Sequence, residues 1–317
     1  MRLISLVPTN TKINFLQFRK IATVFSLFLC VASAALFFSK GLNYGIDFRG
    51  GILIEIRTEG PADMSKLRST LSGLGLGEVQ LQEFGQPSDV LIRIERQAGG
   101  EKAQLVAVEK AKKALGNEVN YRRTEFVGPK VGGELIEAGV TAVVLALAAM
   151  LIYIWFRFEW QFGVGAVVAL LHDVLLTIGV FALLGLEFNL STVAAILTIA
   201  GYSINDTVVV YDRVRENLRK YKQMPLTELL NLSINGTLSR TLLTSVTTLL
   251  ALSALYFFGG EVLAGFSFAM IWGVLVGTYS SIFIAVPLLV YMKLRRTGLI
   301  VGDTDGDDAA VAGNNNV

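Results

Sequence analysis

Six long apolar runs alternate with polar stretches along the chain and predict its membrane topology. The first run extends from Ile21 to Phe38, and a polar stretch at 41–132 separates it from the other five. The later runs lie at about 135–156, 161–184, 188–212, 234–258 and 263–291. Because a helix of about 20 apolar residues crosses the hydrocarbon layer of a bilayer, the pattern predicts six transmembrane helices.

The first apolar run permits two interpretations. Ala32, Ser33 and Ala34 have the small-residue spacing of a signal-peptide cleavage site, which favours a cleaved signal peptide. The run continues past these residues, however, and its length is that of a spanning helix rather than of a signal-peptide core. We therefore interpret 21–39 as a retained transmembrane helix, preceded by a cytoplasmic segment at 1–20.

The polar stretch at 41–132 has the short periodic segments of a folded domain. Its predicted strands are Ile52–Arg57, Glu78–Phe84, Val90–Glu95 and Val119–Val127, and its predicted helices are Ala62–Ser72 and Glu101–Leu115. The resulting order, βαββαβ, is that of the ferredoxin-like fold. The expected fold class is an α-helical polytopic membrane protein with an inserted α+β ferredoxin-like domain at 40–133 and a five-helix bundle at 134–294.

The composition supports a membrane protein and excludes several classes of function. Of the 317 residues, 53% are apolar, and the mean hydropathy of +0.56 is too high for an ordinary soluble domain. The net charge of +2 does not indicate nucleic-acid binding. Cys30 is the one cysteine, so a disulfide within the chain or a thiolate metal site is excluded. Without a metal-ligand set, a nucleophile with its base or a phosphate loop, we expect no enzyme, metal or cofactor.

Basic residues cluster on one side of the predicted topology. Five lie within 213–222 and three follow the last apolar run, whereas the short loops at 185–188 and 259–262 contain none. The positive-inside rule then places both termini and the 213–233 loop in the cytoplasm and the α+β domain outside it. The tail at 295–317 is predicted to be cytoplasmic and disordered, because its composition leaves almost nothing to bury.

Two ionisable residues stand out inside the predicted spans. Asp206 and Arg240 each fall six residues to the cytoplasmic side of the centre of their helix, so they are expected to meet at one level. Desolvation favours a neutral acid and the cation favours a carboxylate, and such a site can bind and release a proton. The alternative is a static ion pair that fixes helix register.

The third predicted span contains the only histidine. His172 falls near the midplane of its helix, and imidazole suits proton exchange near neutral pH. A buried histidine that bonds a neighbouring backbone or hydroxyl group is nevertheless the more common case. Asp173 points about 100° away around the helix, so the two are not expected to face one partner. Asp212 lies at the predicted inner boundary, where we assign it to interface anchoring.

Five short motifs occur in order along the chain. They are YGIDFRGG at 44–51, VGPKVG at 127–132, LLHDV at 170–174, SINDTVVVYDRVREN at 203–217 and SRTLLTSVTT at 239–248. Together they resemble the SecD/SecF family of the bacterial protein-export machinery, and within it the SecF proteins. The resemblance extends from the first helix to about Leu294. It implies one half of a twelve-span transporter of the RND superfamily, with SecD as the other half.

The resemblance also implies a function and partners. SecF proteins act with SecD at the Sec translocon and use the proton motive force to draw secretory proteins out on the periplasmic side. The implied partners are SecD, the SecYEG channel, YajC, unfolded secretory proteins and membrane lipids, with no nucleic acid. The implied location is the bacterial inner membrane, and protons are the coupling ion, with no cofactor.

Residue roles follow from the motifs that match. The family's aspartate in SINDT is Asp206 and its arginine in SRT is Arg240, and the resemblance assigns proton coupling to both. Candidates for a proton relay or for support are His172, Asp173, Asn205 and Thr207, and the family motif after the first helix contains Asp47, Arg49, Gly50 and Gly51.

Two other functions remain open at this point. One is half of a proton-coupled RND-type small-molecule exporter, which predicts a drug- or lipid-sized cavity between the spans or in the outer domain. The other is a structural assembly factor without ion coupling, in which Asp206 and Arg240 only pack helices.

Overall fold

The computed structural model describes residues 11–116, 119–127, 129–259, 261–292 and 294. The first half contains a 3-10 turn (Phe15–Phe18), α1 (Arg19–Lys40), β1 (Asn43–Tyr44), α2 (Ile46–Arg49), β2 (Gly51–Thr58), α3 (Met64–Ser72), β3 (Val79–Phe84), β4 (Gln86–Ile94), α4 (Gly100–Leu115) and β5 (Val119–Val127). The second half contains α5 (Pro129–Arg157), α6 (Trp160–Leu184), β6 (Glu187–Phe188), α7 (Leu190–Lys220), α8 (Leu226–Phe258), α9 (Glu261–Ser280), a π-helical turn (Ser281–Ala285) and α10 (Val286–Tyr291). The predicted disordered tail at 295–317 lies outside the described residues, as does the 1–10 part of the predicted N-terminal segment.

Among the described residues, six helical segments are long and apolar enough to cross a membrane, which confirms the predicted fold class. α6, α7 and α9 form the centre of the bundle, where Ala169, Ile199 and Val274 are buried. α1, α5 and α8 lie at the periphery and expose large apolar side chains such as Phe28 and Phe156. Such surfaces suit contact with lipid chains or with helices of another membrane protein.

Glycines bring the central helices close together. A Cβ atom at Gly273 would lie 2.2 Å from the side chain of Ile199, and one at Gly165 would lie 2.2 Å from the hydroxyl oxygen of Tyr211. That hydroxyl donates a hydrogen bond to the carbonyl oxygen of Ala285 at 3.0 Å. The absence of a side chain at Gly165 and Gly273 therefore permits close helix packing.

The segment at 213–233 was predicted as a loop, and that prediction was wrong. α7 continues to Lys220 and α8 begins at Leu226, which leaves only 221–225 between them. Apolar side chains of both extensions, among them Val214 and Leu229, are buried in the core of the bundle. Burial of one apolar face stabilises a helix beyond the membrane boundary. The basic residues that indicated orientation thus lie largely on helix ends.

The α+β domain is an antiparallel sheet with α3 and α4 on one face. Its strand order, β3-β4-β2-β5, is that of the ferredoxin-like fold. Alternate side chains of β2, namely Ile52, Ile54 and Ile56, are fully buried in a core that also includes Leu71 and Ala111 of the two helices. The period-two pattern that predicted this strand therefore marks the face that the helices cover.

Two boundaries in this domain differ from the predicted ones by more than one residue. β4 begins at Gln86 rather than at Val90, because it continues the pairing with β3 up to the turn at Gly85. α3 begins at Met64 rather than at Ala62, because the carboxylate of Asp63 accepts the N–H groups that start the helix. Both differences arise from local turn and cap geometry, which hydrophobic periodicity does not report.

An ion pair links β2 to β4 at the far end of this sheet. Arg57 Nε and Nη2 donate hydrogen bonds to the two carboxylate oxygens of Asp89, whose side chain is only 2% exposed. The hydrogen bond from the guanidinium holds the pKa of Asp89 below its usual value. The ionised carboxylate is therefore stabilised in the folded domain.

We expect Asp89→Asn to destabilise the α+β domain by about 1 to 3 kcal/mol, because it removes charge-assisted hydrogen bonds. Since the folded-state pKa is lowered, this contribution is complete above the usual aspartate pKa of about 4 and is lost as pH falls through the folded value. Hydrogen exchange of the β2 and β4 amides in the full chain should show less protection in the variant at pH 7. Glu109→Gln, on the exposed side of α4, is the control, and equal protection in both variants would contradict the prediction.

Candidate functional site

Asp206 lies inside the bundle with one carboxylate oxygen bound and one free. α7 places the residue against α8, where the side chain is 9% exposed. The Thr241 hydroxyl donates a hydrogen bond to Oδ1 at 2.7 Å. Oδ2 is buried and has no hydrogen-bond partner in the described part of the chain. A buried carboxylate oxygen without a partner is costly when ionised, so this oxygen is a place where a proton can bind.

The predicted direct pairing of Asp206 with Arg240 is not formed in this structure. No ion pair within 4.0 Å joins them among the described residues, and Arg240 is exposed on the surface of the bundle. Thr241, its neighbour, faces Asp206 instead. Counting along the helices predicted the right level, but successive residues of a helix differ by about 100° in direction, and depth alone does not fix that angle.

Asn205 and Arg240 immediately precede the two residues of the Asp206–Thr241 bond, and both are exposed. In antiparallel helices the same one-residue offset turns both toward the same side. We define the polar face as six exposed residues on this side of the two helices, namely Thr198, Gly201 and Asn205 of α7 with Arg240, Thr244 and Thr247 of α8. The polar face includes Arg240, which adjoins the residue that bonds Asp206. Charged side chains of this kind are rare on the surface of membrane-spanning helices.

Asp173 is a second carboxylate, and it is fully buried. The Ser203 hydroxyl of α7 and the Ser280 hydroxyl of α9 donate to Oδ2, the latter at 2.8 Å. His172 Nδ1 lies 2.9 Å from Oδ1. Three helices therefore meet at this side chain, and its oxygens, unlike those of Asp206, are all bonded.

His172 forms a hydrogen bond with Asp173, its neighbour in sequence. From the sequence, the two side chains were expected to point in different directions, and this bond was not predicted. Its imidazole bends back toward Asp173, while its Nε2 is buried without a partner among the described residues. The ring lies beside Tyr279, whose hydroxyl shares a hydrogen bond of 3.0 Å with Ser26 of α1. His172 thus belongs to a polar cluster that connects α6 to α1 and α9.

Hydroxyl groups lie between the two carboxylates. Ser203, which bonds Asp173, is one helical turn from Thr207, whose hydroxyl lies 3.0 Å from that of Ser281. Ser281 opens the π-helical turn directly after Ser280. π-Helical turns frequently occur at functional sites, since they re-aim side chains within a helix. Thr207, a predicted supporting residue, is therefore in the cluster, whereas Asn205 lies on the polar face.

Sequence reasoning missed Ser280 and Ser281. The signal was present, because two adjacent serines interrupt the last apolar run. Their partners lie on α6 and α7, more than 70 positions away in sequence, at separations of 107 and 74. The apolar pattern of a single helix does not identify such long-range partners.

The YGIDFRGG segment follows α1 and contacts the start of α7. Asp47 Oδ2 accepts the N–H of Leu190 at 2.9 Å. The guanidinium of Arg49 lies 6.0 Å from the centre of the Tyr44 ring. Gly50 and Gly51 have φ angles of 70° and 124°, which side-chain-bearing residues rarely adopt, and they turn the chain from α2 into β2. The glycine pair thus has a local backbone role, and Asp47 has a long-range one.

A cleft of about 610 Å³ lies beside this segment, between the open face of the sheet and the nearby ends of α8 and α9. It combines charged side chains, including Glu55 and Arg123, with Leu53, Tyr256 and Phe257. Its volume is in the range of small-molecule sites. In the described part of the chain, no group of three or more His, Cys, Asp and Glu residues could hold a metal ion.

The chain matches two protein families. Residues 107–295 match the family described as protein export membrane protein SecD/SecF, C-terminal, and residues 35–62 match the SecD/SecF GG motif. A protein translocase subunit SecF from Rickettsia bellii is 49% identical over 92% of this chain and 97% of its own length. The protein of the same name from Cereibacter sphaeroides is 46% identical over 93% of this chain and 94% of its own length.

Two solved structures are also similar. SecDF from Thermus thermophilus, described as a translocon-associated membrane protein, is 39% identical over 92% of this chain, with a TM-score of 0.83. A structure of SecDF in the super-membrane-facing form has the same identity and coverage and a TM-score of 0.67. This chain spans 40% of each SecDF chain.

Proposed function

Because the chain belongs to the SecD/SecF family of protein export membrane proteins, we propose that it is a translocase subunit that uses the proton motive force, with a SecD partner, to promote export of secretory proteins. The observation that carries the proton coupling is Asp206, with one oxygen bound to Thr241 and the other buried and free. One charge that crosses about 100 mV releases about 2.3 kcal/mol, which is enough to shift a two-state equilibrium.

In the proposed mechanism, a proton binds the free oxygen of Asp206 and changes the packing of α7 against α8. When Asp206 is ionised, Arg240 supplies the nearby positive charge, since it adjoins the residue that bonds Asp206. His172, Asp173 and Thr207 support or relay the proton through the neighbouring hydroxyl groups, and Asn205 supports the site from the polar face beside Asp206. Protons are the coupling ion, and the proposal includes no catalysis, metal or cofactor.

The polar face supports a membrane partner. An arginine exposed to lipid on a spanning helix costs from about 2.5 to more than 10 kcal/mol, so another protein is expected to cover Arg240. The Thermus SecDF chain, of which this chain spans 40%, carries additional sequence that could supply such a cover. We therefore propose SecD as the partner at the polar face. The SecYEG channel, YajC and unfolded secretory proteins are further proposed partners, on the family resemblance.

The proposed location is the bacterial inner membrane, with both termini in the cytoplasm and the α+β domain in the periplasm. This orientation places the basic ends of α7 and the last span on the cytoplasmic side. It also places the α+β domain where an exported polypeptide emerges, which an export-promoting subunit requires.

The cleft beside the α+β domain favours one second candidate, a proton-coupled small-molecule exporter. Its volume of about 610 Å³ is sufficient for a drug-sized ligand. The two functions differ in their cargo. Depletion of an exporter changes tolerance to toxic compounds, whereas depletion of a translocase subunit slows the appearance of secreted proteins.

We expect depletion of this protein to slow export of a pulse-labelled secretory precursor, and an ionophore to slow export in replete cells but to have little further effect in depleted ones. Both results follow if the protein is the step that uses the proton motive force after ATP-driven insertion. Minimum inhibitory concentrations of a toxic-compound panel in the same cells provide the comparison. Normal export with changed tolerance would favour the exporter and contradict the proposal.

A further inference from the structure

Backbone hydrogen bonds join the segment after α1 to the segment before α7. We call residues 43–51 together with 185–192 the joint. Within it β1 pairs in parallel with β6, so that Asn43 lies beside Glu187 and Tyr44 beside Phe188. The N–H of Gly45 donates to the carbonyl oxygen of Phe188 at 2.9 Å. The two halves of the joint thus share backbone hydrogen bonds although they are far apart in sequence.

The joint is also tied to the sheet of the α+β domain. Arg93 of β4 forms an ion pair with Glu187 and donates a second hydrogen bond to Asn43 at 3.2 Å. A Cβ atom at Gly45 would lie 2.6 Å from a carboxylate oxygen of Glu187, so a side chain there would displace the Glu187 carboxylate from its place beside Arg93. A displacement on one side of the joint is therefore passed to the sheet through several contacts.

Asp47 bonds the start of α7 from the other half of the joint. Its Oδ2 accepts the N–H of Leu190, the first residue of the helix, across 143 positions of sequence. That N–H is one of four that a helix leaves without an internal partner. Asn189 caps the same end locally by accepting the N–H of Thr192. One cap of α7 thus comes from its own chain segment, and the other comes from α2.

α7 can transmit movement along its length. It runs from Leu190 to Lys220 as one helix without proline. Asp206 follows Leu190 by 16 residues, which corresponds to about 24 Å along the axis. A shift of α7 at Asp206 therefore moves the N–H that Asp47 holds.

We propose that Asp47 is a positioning residue that couples displacement of α7 to the α+β domain. The inference rests on the proposed function, in which protonation of Asp206 supplies the displacement. The carboxylate follows the helix end because both the N–H of Leu190 and the partial positive charge of the helix N-terminus attract it. Without this bond, a displacement of α7 no longer moves the α+β domain.

Four single variants separate the bond from its surroundings. Asp47→Ala removes the acceptor, and Asp47→Asn keeps an acceptor oxygen, since asparagine is as good a helix cap as aspartate. Leu190→Pro removes the donor without touching Asp47. Proline is well tolerated at the first position of a helix, and Asn189 already has the extended backbone, φ −128° and ψ −178°, that a residue before proline requires. Leu190→Ala keeps the N–H and controls for the lost side chain.

We expect Asp47→Ala and Leu190→Pro each to reduce proton-dependent export about tenfold, with normal membrane levels and normal proton uptake by the reconstituted complex with SecD. The double variant should be no worse than either single one, because both remove one bond. Asp47→Asn and Leu190→Ala should export at close to the wild-type rate. A purely structural role of Asp47 would instead lower protein levels or proton uptake together with export, and that result would overturn the inference.

Asp206→Asn, measured in parallel, distinguishes failure of the coupling role of Asp47 from failure of the proposed function. If it abolishes proton-dependent export while Asp47→Ala and Leu190→Pro retain it, the coupling role of Asp47 is overturned and the proposed function stands. If Asp206→Asn retains proton-dependent export, the proposed function fails and the inference fails with it. Additive losses in the double variant would also overturn the inference, since they would show two independent effects.

Discussion

Asp206→Asn should abolish the proton-dependent part of protein export while the protein remains in the membrane at its normal level. The amide has nearly the same size as the carboxylate, and its oxygen can still accept the hydrogen bond from Thr241, which is 2.7 Å long in the native protein. It cannot take up a proton at Oδ2, however. Loss of one coupled charge removes about 2.3 kcal/mol at 100 mV, which corresponds to a rate reduction of up to about 50-fold.

The measurement is export of a pulse-labelled secretory precursor in cells whose only copy carries the variant, with and without an ionophore. Asp212→Asn is the matched control, because it removes a carboxylate of the same helix that is 45% exposed and pairs with Arg157 at 2.6 Å. An exposed ion pair contributes little, so the control should export within about twofold of wild type. Normal export by Asp206→Asn would mean that the buried carboxylate only packs helices or that the cargo is not a protein.

Hydrophobic patterning predicted the architecture because it reports what each segment buries. The six apolar runs correspond to six helices of spanning length, and the alternation in β2 corresponds to Ile52, Ile54 and Ile56 beneath the helices of the α+β domain. The pattern failed at 213–233, where charged residues suggested a loop. There the charges occupy one face of a helix whose other face is buried, and a count of basic residues does not separate these cases.

The candidate site was predicted in part. Depth counting brought Asp206 to the level of 240 and 241, but the side chain that faces it is Thr241 rather than Arg240. A rotation of about 100° per residue decides which neighbour points inward, and that rotation depends on the packing of whole helices. The contact of Asp47 with Leu190 was unpredictable for a related reason. A cap that comes from 143 positions away leaves no local pattern in the sequence.

Substitution of Asp173 should mainly lower the stability of the protein, whereas substitution of Asp206 should mainly lower proton-dependent export. Three side chains, those of His172, Ser203 and Ser280, form hydrogen bonds with its carboxylate, and Asp173 is fully buried. Asp173→Ala leaves these groups without their acceptor and opens a small cavity where three helices meet. We expect the free energy of unfolding to fall by about 2 to 5 kcal/mol, the range for removing one partner of a buried polar cluster.

Thermal unfolding of the purified protein in detergent, followed by size-exclusion fluorescence, measures this loss. Asp212→Ala should leave the midpoint almost unchanged, and Ser280→Ala should lower it less than Asp173→Ala does, because it removes one bond of the cluster. An Asp173→Ala protein that unfolds like wild type would contradict a stabilising role. Asp206→Asn should melt close to wild type and yet fail in proton-dependent export. The stability and export assays together thus distinguish the roles of the two buried carboxylates. Both oxygens of Asp173 are hydrogen-bonded, whereas Asp206 has one oxygen without a partner among the described residues.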